Sequence, residues 1–94
     1  CDLLFSPAAE RYLKKLRETS LRDAYRAAFL AIMENPYIGT QNEATIGIYR
    51  FDFRHLGVNY EIAYTIRGPD EPKVVVLLVG TRENFYEQLK RYMR

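Results

Sequence analysis

Two neighbouring stretches with a strict period of two constrain this chain more than any other feature. Residues 46–54 read Ile-Gly-Ile-Tyr-Arg-Phe-Asp-Phe-Arg, and residues 58–67 read Val-Asn-Tyr-Glu-Ile-Ala-Tyr-Thr-Ile-Arg. Alternation of this kind predicts strands with one apolar and one polar face. Tyr49, Phe51 and Phe53 share a side with Val58, Tyr60, Ile62, Tyr64 and Ile66 once the two strands pair as a hairpin. Arg50, Asp52 and Arg54 then join Asn59, Glu61, Ala63, Thr65 and Arg67 on the other side. With a turn through Arg54, His55, Leu56 and Gly57, the tightest register sets Phe53 opposite Val58, Asp52 opposite Asn59 and Arg50 opposite Glu61. The plainest reading of that polar side is a solvated face with ordinary cross-strand ion pairs.

The rest of the chain supplies what must cover the apolar side. Asp2 to Phe5 is a short apolar run, and Ser6-Pro7 pairs a good N-cap with proline at the first helical position. Ala9, Leu13 and Leu16 recur at helical spacing to about Glu18, opposite Arg11, Lys14, Lys15 and Arg17. Thr19-Ser20 recaps the chain, and Leu21, Tyr25, Ala28 and Ile32 define a second amphipathic helix that stops at Asn35-Pro36. Tyr37 to Thr45 has no period and reads as a loop. After a turn at residues 68–72, Lys73 to Val79 is apolar on both faces, which marks a strand inside a sheet. Thr81 to Arg94 returns to helical spacing through Phe85 and Leu89. The expected order, β-α-α-β-β-β-α, describes a segregated α+β domain: a helical hairpin and a C-terminal helix against a four-stranded, mostly antiparallel sheet.

A length of 94 residues is enough for one core, so residues 1–94 are expected to form a single domain. The net charge of +2 is too small to demand a nucleic-acid partner. Its distribution is more telling, with six basic against three acidic residues between Glu10 and Arg26. One Cys and one His exclude an internal disulfide and a Cys/His zinc cluster, so no metal and no cofactor is expected. With no signal peptide and no long apolar run, the expected location is the cytoplasm, without a membrane partner. The first residue is not Met, and an unseen N-terminal segment is expected.

Phosphate-loop, dinucleotide-binding, zinc-protease and serine-hydrolase motifs are all missing. His55, in the hairpin turn, reads as a surface residue rather than as part of a triad. What remains is Arg50, Arg54 and Arg67 with Asp52 and Glu61 on the polar strand face, joined by Arg82 after the last strand. Guanidinium forks match phosphate oxygens and stay charged, while a carboxylate or a tyrosine hydroxyl can move a proton. Together they suit internal RNA transesterification, which calls for no metal. Tyr86 fits either that role or simple packing beside Phe85 and Leu89.

Three segments give the chain a family resemblance: Phe5-Ser6-Pro7-Ala8-Ala9 followed by Leu13 and Leu16, Tyr60-Glu61-Ile62-Ala63-Tyr64, and Gly80-Thr81-Arg82-Glu83-Asn84-Phe85-Tyr86. The chain resembles the RelE/ParE superfamily of bacterial type II toxins, in element order as well as in these segments. The resemblance implies a compact ribonuclease-like fold whose sheet cups the substrate and which a cognate antitoxin holds inactive. RelE-like members cut mRNA on the ribosome, whereas ParE-like members inhibit DNA gyrase. Carried over by position, Arg50, Arg54, Arg82 and Tyr86 match functional sites of the nuclease members. Asp52 and Glu61 depart from the pattern, because acids stand where those members carry lysine and arginine. The expectation is therefore a RelE-like endoribonuclease with Arg50 and Arg82 on the phosphate, Glu61 as base and Tyr86 as acid, and with Arg54, Asp52 and Arg67 binding substrate. The alternatives are a gyrase inhibitor and a degenerate member that only binds its antitoxin. Basic helices beside an open sheet face suit an extended acidic antitoxin segment.

Overall fold

The computed structural model describes residues 2–41, 46–68, 70–82 and 91. Most of the expected C-terminal helix, Tyr86 included, lies outside them, and Thr81, where its expected range begins, ends the last strand. Strand β1 (Asp2–Phe5) leads into helix α1 (Pro7–Lys15), then helix α2 (Thr19–Glu34) and a 3-10 turn at Pro36–Ile38. Strands β2 (Thr40–Gln41), β3 (Tyr49–His55), β4 (Val58–Arg67) and β5 (Lys73–Thr81) follow. They form one sheet in the order β1-β5-β4-β3-β2, with β1 parallel to β5 and the other pairs antiparallel. The α+β class is as expected, but the sheet has five strands rather than four. The extra strand is a two-residue edge inside the presumed loop, too short to carry a period.

Ser6 caps α1 as its identity predicts. Its hydroxyl oxygen accepts from Ala9 N–H at 3.1 Å and donates to the Leu77 carbonyl at 2.6 Å, so one side chain starts the helix and ties it to β5. Both helices cover the sheet face that carries Tyr49, Phe51, Phe53, Tyr60, Ile62 and Tyr64. Ala9, Leu21, Tyr25, Ala28, Phe29 and Ile32 pack into that layer with Val74, Val76 and Val79. Tyr25 sits at its centre with its ring edge-on to Phe53 at 4.9 Å. Burying each large side chain contributes roughly 1.5–3 kcal/mol, which makes this layer the main source of stability.

The hairpin register differs from the expected one by two residues. Phe53 pairs with Tyr60, Asp52 with Glu61, Arg50 with Ala63 and His55 with Val58. The faces are preserved because the error is even. Its cause is the turn, which spans only Leu56 and Gly57, at φ 48° and φ 79°. A two-residue turn with both φ positive matches strand twist and draws Arg54 and His55 into β3. Leucine in that conformation costs about 1 kcal/mol, so its identity gave no sign of such a turn.

Candidate functional site

The site lies on the sheet face away from the helices and begins with a bulge. Between the pairs Ala63–Leu78 and Tyr64–Val76 the register shifts, leaving Leu77 as an extra residue in β5. A bulge of this kind reverses which face later residues take. Val79 thus joins the helix-side core, and Gly80 comes to pair with Glu61. Leu77 and Leu78 pack on the far face with Ile48 and Ala63, forming a second, smaller apolar cluster. The expected polar face is therefore partly a core. A run apolar on both sides concealed the bulge from any sequence reading.

Beside this cluster the charged residues converge. Asp52 stands directly across from Glu61, and Arg82 Nε lies 3.5 Å from Glu61 Oε1. Glycine opposite Glu61 puts no side chain between them. The two partners differ sharply in exposure: the Glu61 side chain is 2% exposed and that of Arg82 is 60%. Asp52 is exposed and Arg50 half-buried. Both Glu61 carboxyl oxygens are thus withdrawn from solvent, with Asp52 and Arg82 as their polar neighbours. Burial, and then the charge of Asp52, push the Glu61 pKa above the usual carboxylate range, while Arg50 and Arg82 pull it back. A hydrogen bond with the Asp52 side chain adds to the upward push, so the two acids form one coupled pair on this face.

Arg50, Asp52, Glu61 and Arg82 are thus brought together, with Arg54 next along the same face of β3. Arg67 is not. It shares the face but pairs with Lys73 at the far end of β4, six residues and about 20 Å from Glu61. His55 is also displaced from its expected setting. It belongs to β3, with its side chain 17% exposed on the helix side, where Nε2 lies 3.2 Å from Ser20 Oγ and 3.6 Å from Glu18 Oε1. Both contacts fall on the same ring nitrogen, which is not the geometry of a nucleophile-base-acid triad.

A second polar anchor positions the strand that carries Arg50. Tyr64 O–H donates to the Pro36 carbonyl at 2.7 Å, and Gly39 N–H donates to the Tyr64 hydroxyl oxygen at 3.0 Å. A Cβ on Gly39 would lie 2.7 Å from that hydroxyl and 2.9 Å from the Arg50 carbonyl, so only glycine permits the approach. The contact seats β2 against β3 with Thr40 opposite Arg50. Period two puts Tyr64 in the core but is silent on its hydroxyl, whose partners sit in the aperiodic segment.

Among the described residues no group of three or more His, Cys, Asp or Glu is placed to hold a metal, and no helix is long and apolar enough to cross a membrane. Compared with known proteins, the chain matches the family model for the ParE-like toxin of type II bacterial toxin-antitoxin systems over residues 3–90. The chain belongs to that family. Its fold is similar to that of the isolated E. coli RelE toxin, with 25% identity and a TM-score of 0.68 over 97% of each chain. It is also similar to a chain of the intact E. coli RelBE toxin-antitoxin complex, at 25% identity and TM-score 0.67, covering 84% of this chain and 93% of that one. An E. coli RelE mutant in complex with an antitoxin peptide matches at 22% identity and TM-score 0.69, over 93% and 92% of the two chains, a likeness of fold alone. No curated protein matches significantly. Membership in the RelE/ParE superfamily, expected from three short segments, accordingly holds for nearly the whole chain.

Proposed function

We propose that residues 1–94 form a single toxin domain that cleaves mRNA on the ribosome and is silenced by a cognate antitoxin. The observation that carries this reading is the Arg50, Asp52, Glu61 and Arg82 cluster, in which an exposed guanidinium is held 3.5 Å from a buried carboxyl group. In the proposed reaction Arg50 and Arg82 bind the scissile phosphate and stabilise the charge of the phosphorane. A carboxylate of the Asp52–Glu61 pair takes the 2′-hydroxyl proton, and Tyr86 serves as the acid for the leaving 5′-oxygen. Arg54 binds the flanking backbone. Arg67, at the far end of β4, would touch only a more distant phosphate.

The family and the RelBE likeness support the antitoxin, and the basic face of α1 supports its chemistry as an acidic, extended segment. Such binding should weaken with salt. Induced expression in bacteria, with and without the neighbouring gene, tests the reading. Growth arrest with cleaved ribosome-bound mRNA, relieved by the neighbour, is expected; normal growth with intact message would overturn it.

A second reading, a gyrase inhibitor that performs no chemistry, is favoured by the ParE-like family description and by the acids that offset the arginines. It expects inhibition of supercoiling that survives Glu61→Gln and Tyr86→Phe.

A further inference from the structure

The nuclease reading leaves open which carboxylate moves the proton, and the geometry separates the two. Glu61 is sealed: its side chain is 2% exposed, so a ribose hydroxyl cannot reach it in this conformation. Its contact with Arg82 is made through Nε, the inner nitrogen of the guanidinium. Held there, the group can direct its terminal nitrogens outward, which is the edge that forks a phosphate. Arg82 reaches Glu61 because the β5 bulge turns it to this face and because Gly80 is the residue paired with Glu61. Asp52, directly across the strands and hydrogen-bonded to Glu61, is the exposed member of the pair, and so the one a ribose hydroxyl can approach.

Resting on that reading, we infer that Glu61 is a positioning residue that orients Arg82 through Nε, and that Asp52 is the carboxylate that takes the 2′-hydroxyl proton. In the step this assigns, the 2′-oxygen loses its proton to Asp52 and bonds to phosphorus as the bond from phosphorus to the 5′-oxygen breaks. A 2′,3′-cyclic phosphate and a 5′-hydroxyl result. The 5′-oxygen takes its proton from the site's acid or from solvent, and Asp52 returns to solvent the one it took. Glu61 keeps the same proton count throughout.

The two carboxylates therefore predict different kinetics. With mRNA on translating ribosomes as substrate, Asp52→Asn should lower kcat on the order of 100-fold and flatten the acidic limb of the pH-rate profile. Glu61→Gln should raise KM about tenfold and leave that limb in place. The double variant of Glu61→Gln with Arg82→Ala should be no worse than Arg82→Ala alone, since both remove one arrangement. The inference is overturned if Glu61→Gln, rather than Asp52→Asn, flattens the profile, or if the two losses in the double variant add. Binding of a non-cleavable 2′-deoxy oligonucleotide provides a second arm. If the unaltered protein leaves mRNA intact, the nuclease reading fails and the role of Asp52 with it. Weaker oligonucleotide binding by Glu61→Gln would then still uphold the positioning of Arg82, and unchanged binding would refute it.

Discussion

The two faces of the sheet follow opposite rules. On the helix side, polar atoms that enter the core find partners: Tyr25 O–H donates to the Tyr12 hydroxyl oxygen at 3.2 Å, and the Tyr64 hydroxyl is satisfied both as donor and as acceptor. Burial pushes the pKa of both Tyr25 and Tyr64 upward, which keeps their hydroxyls neutral. On the far side a carboxyl group is buried against a second acid, whose charge and hydrogen bond both raise its pKa. Consistency across levels is what stabilises a fold, and a local breach of it is expected where a surface must act. The contrast is sharpest between consecutive residues of β4, Ile62 facing the helices and Glu61 facing away.

Truncating Ile62 should give the largest effect. Its side chain is fully buried among Ile32, Tyr64 and Val76 and their neighbours, so Ile62→Ala removes apolar area and leaves a cavity. Stability should fall by about 2–5 kcal/mol, read as a lower denaturation midpoint. A loss under about 1 kcal/mol would mean that the helix-side layer is loosely packed and that the comparison of faces is misplaced.

The Gly39 contact links the two faces, because it seats β2 beside the strand that presents Arg50. Gly39→Ala must displace either the Tyr64 hydroxyl or the Arg50 backbone, and a cost of about 1–3 kcal/mol is expected. Tyr64→Phe introduces no crowding and removes only the hydroxyl, leaving Gly39 N–H and the Pro36 carbonyl to find water. Equal losses in the two variants would indicate that the hydroxyl bonds, rather than the close approach, hold β2.

Glu61→Gln should behave in the opposite way to its neighbour. A carboxyl whose folded pKa is raised binds more protons folded than unfolded across the interval between the two values. Its presence therefore favours folding at low pH and penalises it as pH rises through the folded value. Glutamine cannot ionise, so the variant should equal or exceed the parent by about 1 kcal/mol at neutral pH and lose that margin in acid. Melting curves across pH measure it. A variant that is less stable at neutral pH, with the deficit growing as pH rises, would show the ion pair with Arg82 outweighing the burial of charge.

What the amino-acid pattern disclosed and what it hid divide along physical lines. Period two assigns residues to faces, and Arg50, Asp52 and Glu61 do share one. Period two cannot distinguish registers that differ by two residues, and the register rested on a turn whose positive φ falls on Leu56, a residue that carries no turn signal. Ser6-Pro7 was legible because capping is local chemistry. The bulge at Leu77 was not, because both faces of Val74 to Val79 are apolar and an inserted residue changes no pattern. Placing Arg82 against Glu61 depends on that bulge, so the cluster could be anticipated by membership but not by contact.

The smallest expected effect belongs to the rim between the two faces, where Ser20 Oγ donates to Glu18 Oε1 at 2.9 Å and lies 3.2 Å from His55 Nε2. These groups join the end of β3 to the start of α2, yet Ser20 and Glu18 are exposed and water can replace what either loses. Ser20→Ala should therefore shift stability by no more than about 0.5 kcal/mol and leave the pH behaviour of Glu61→Gln unchanged, because the two sites share no partner. A double-variant melt checks this. Coupling between them would mean that the hairpin end transmits strain across the sheet, and the faces could then no longer be treated as separate.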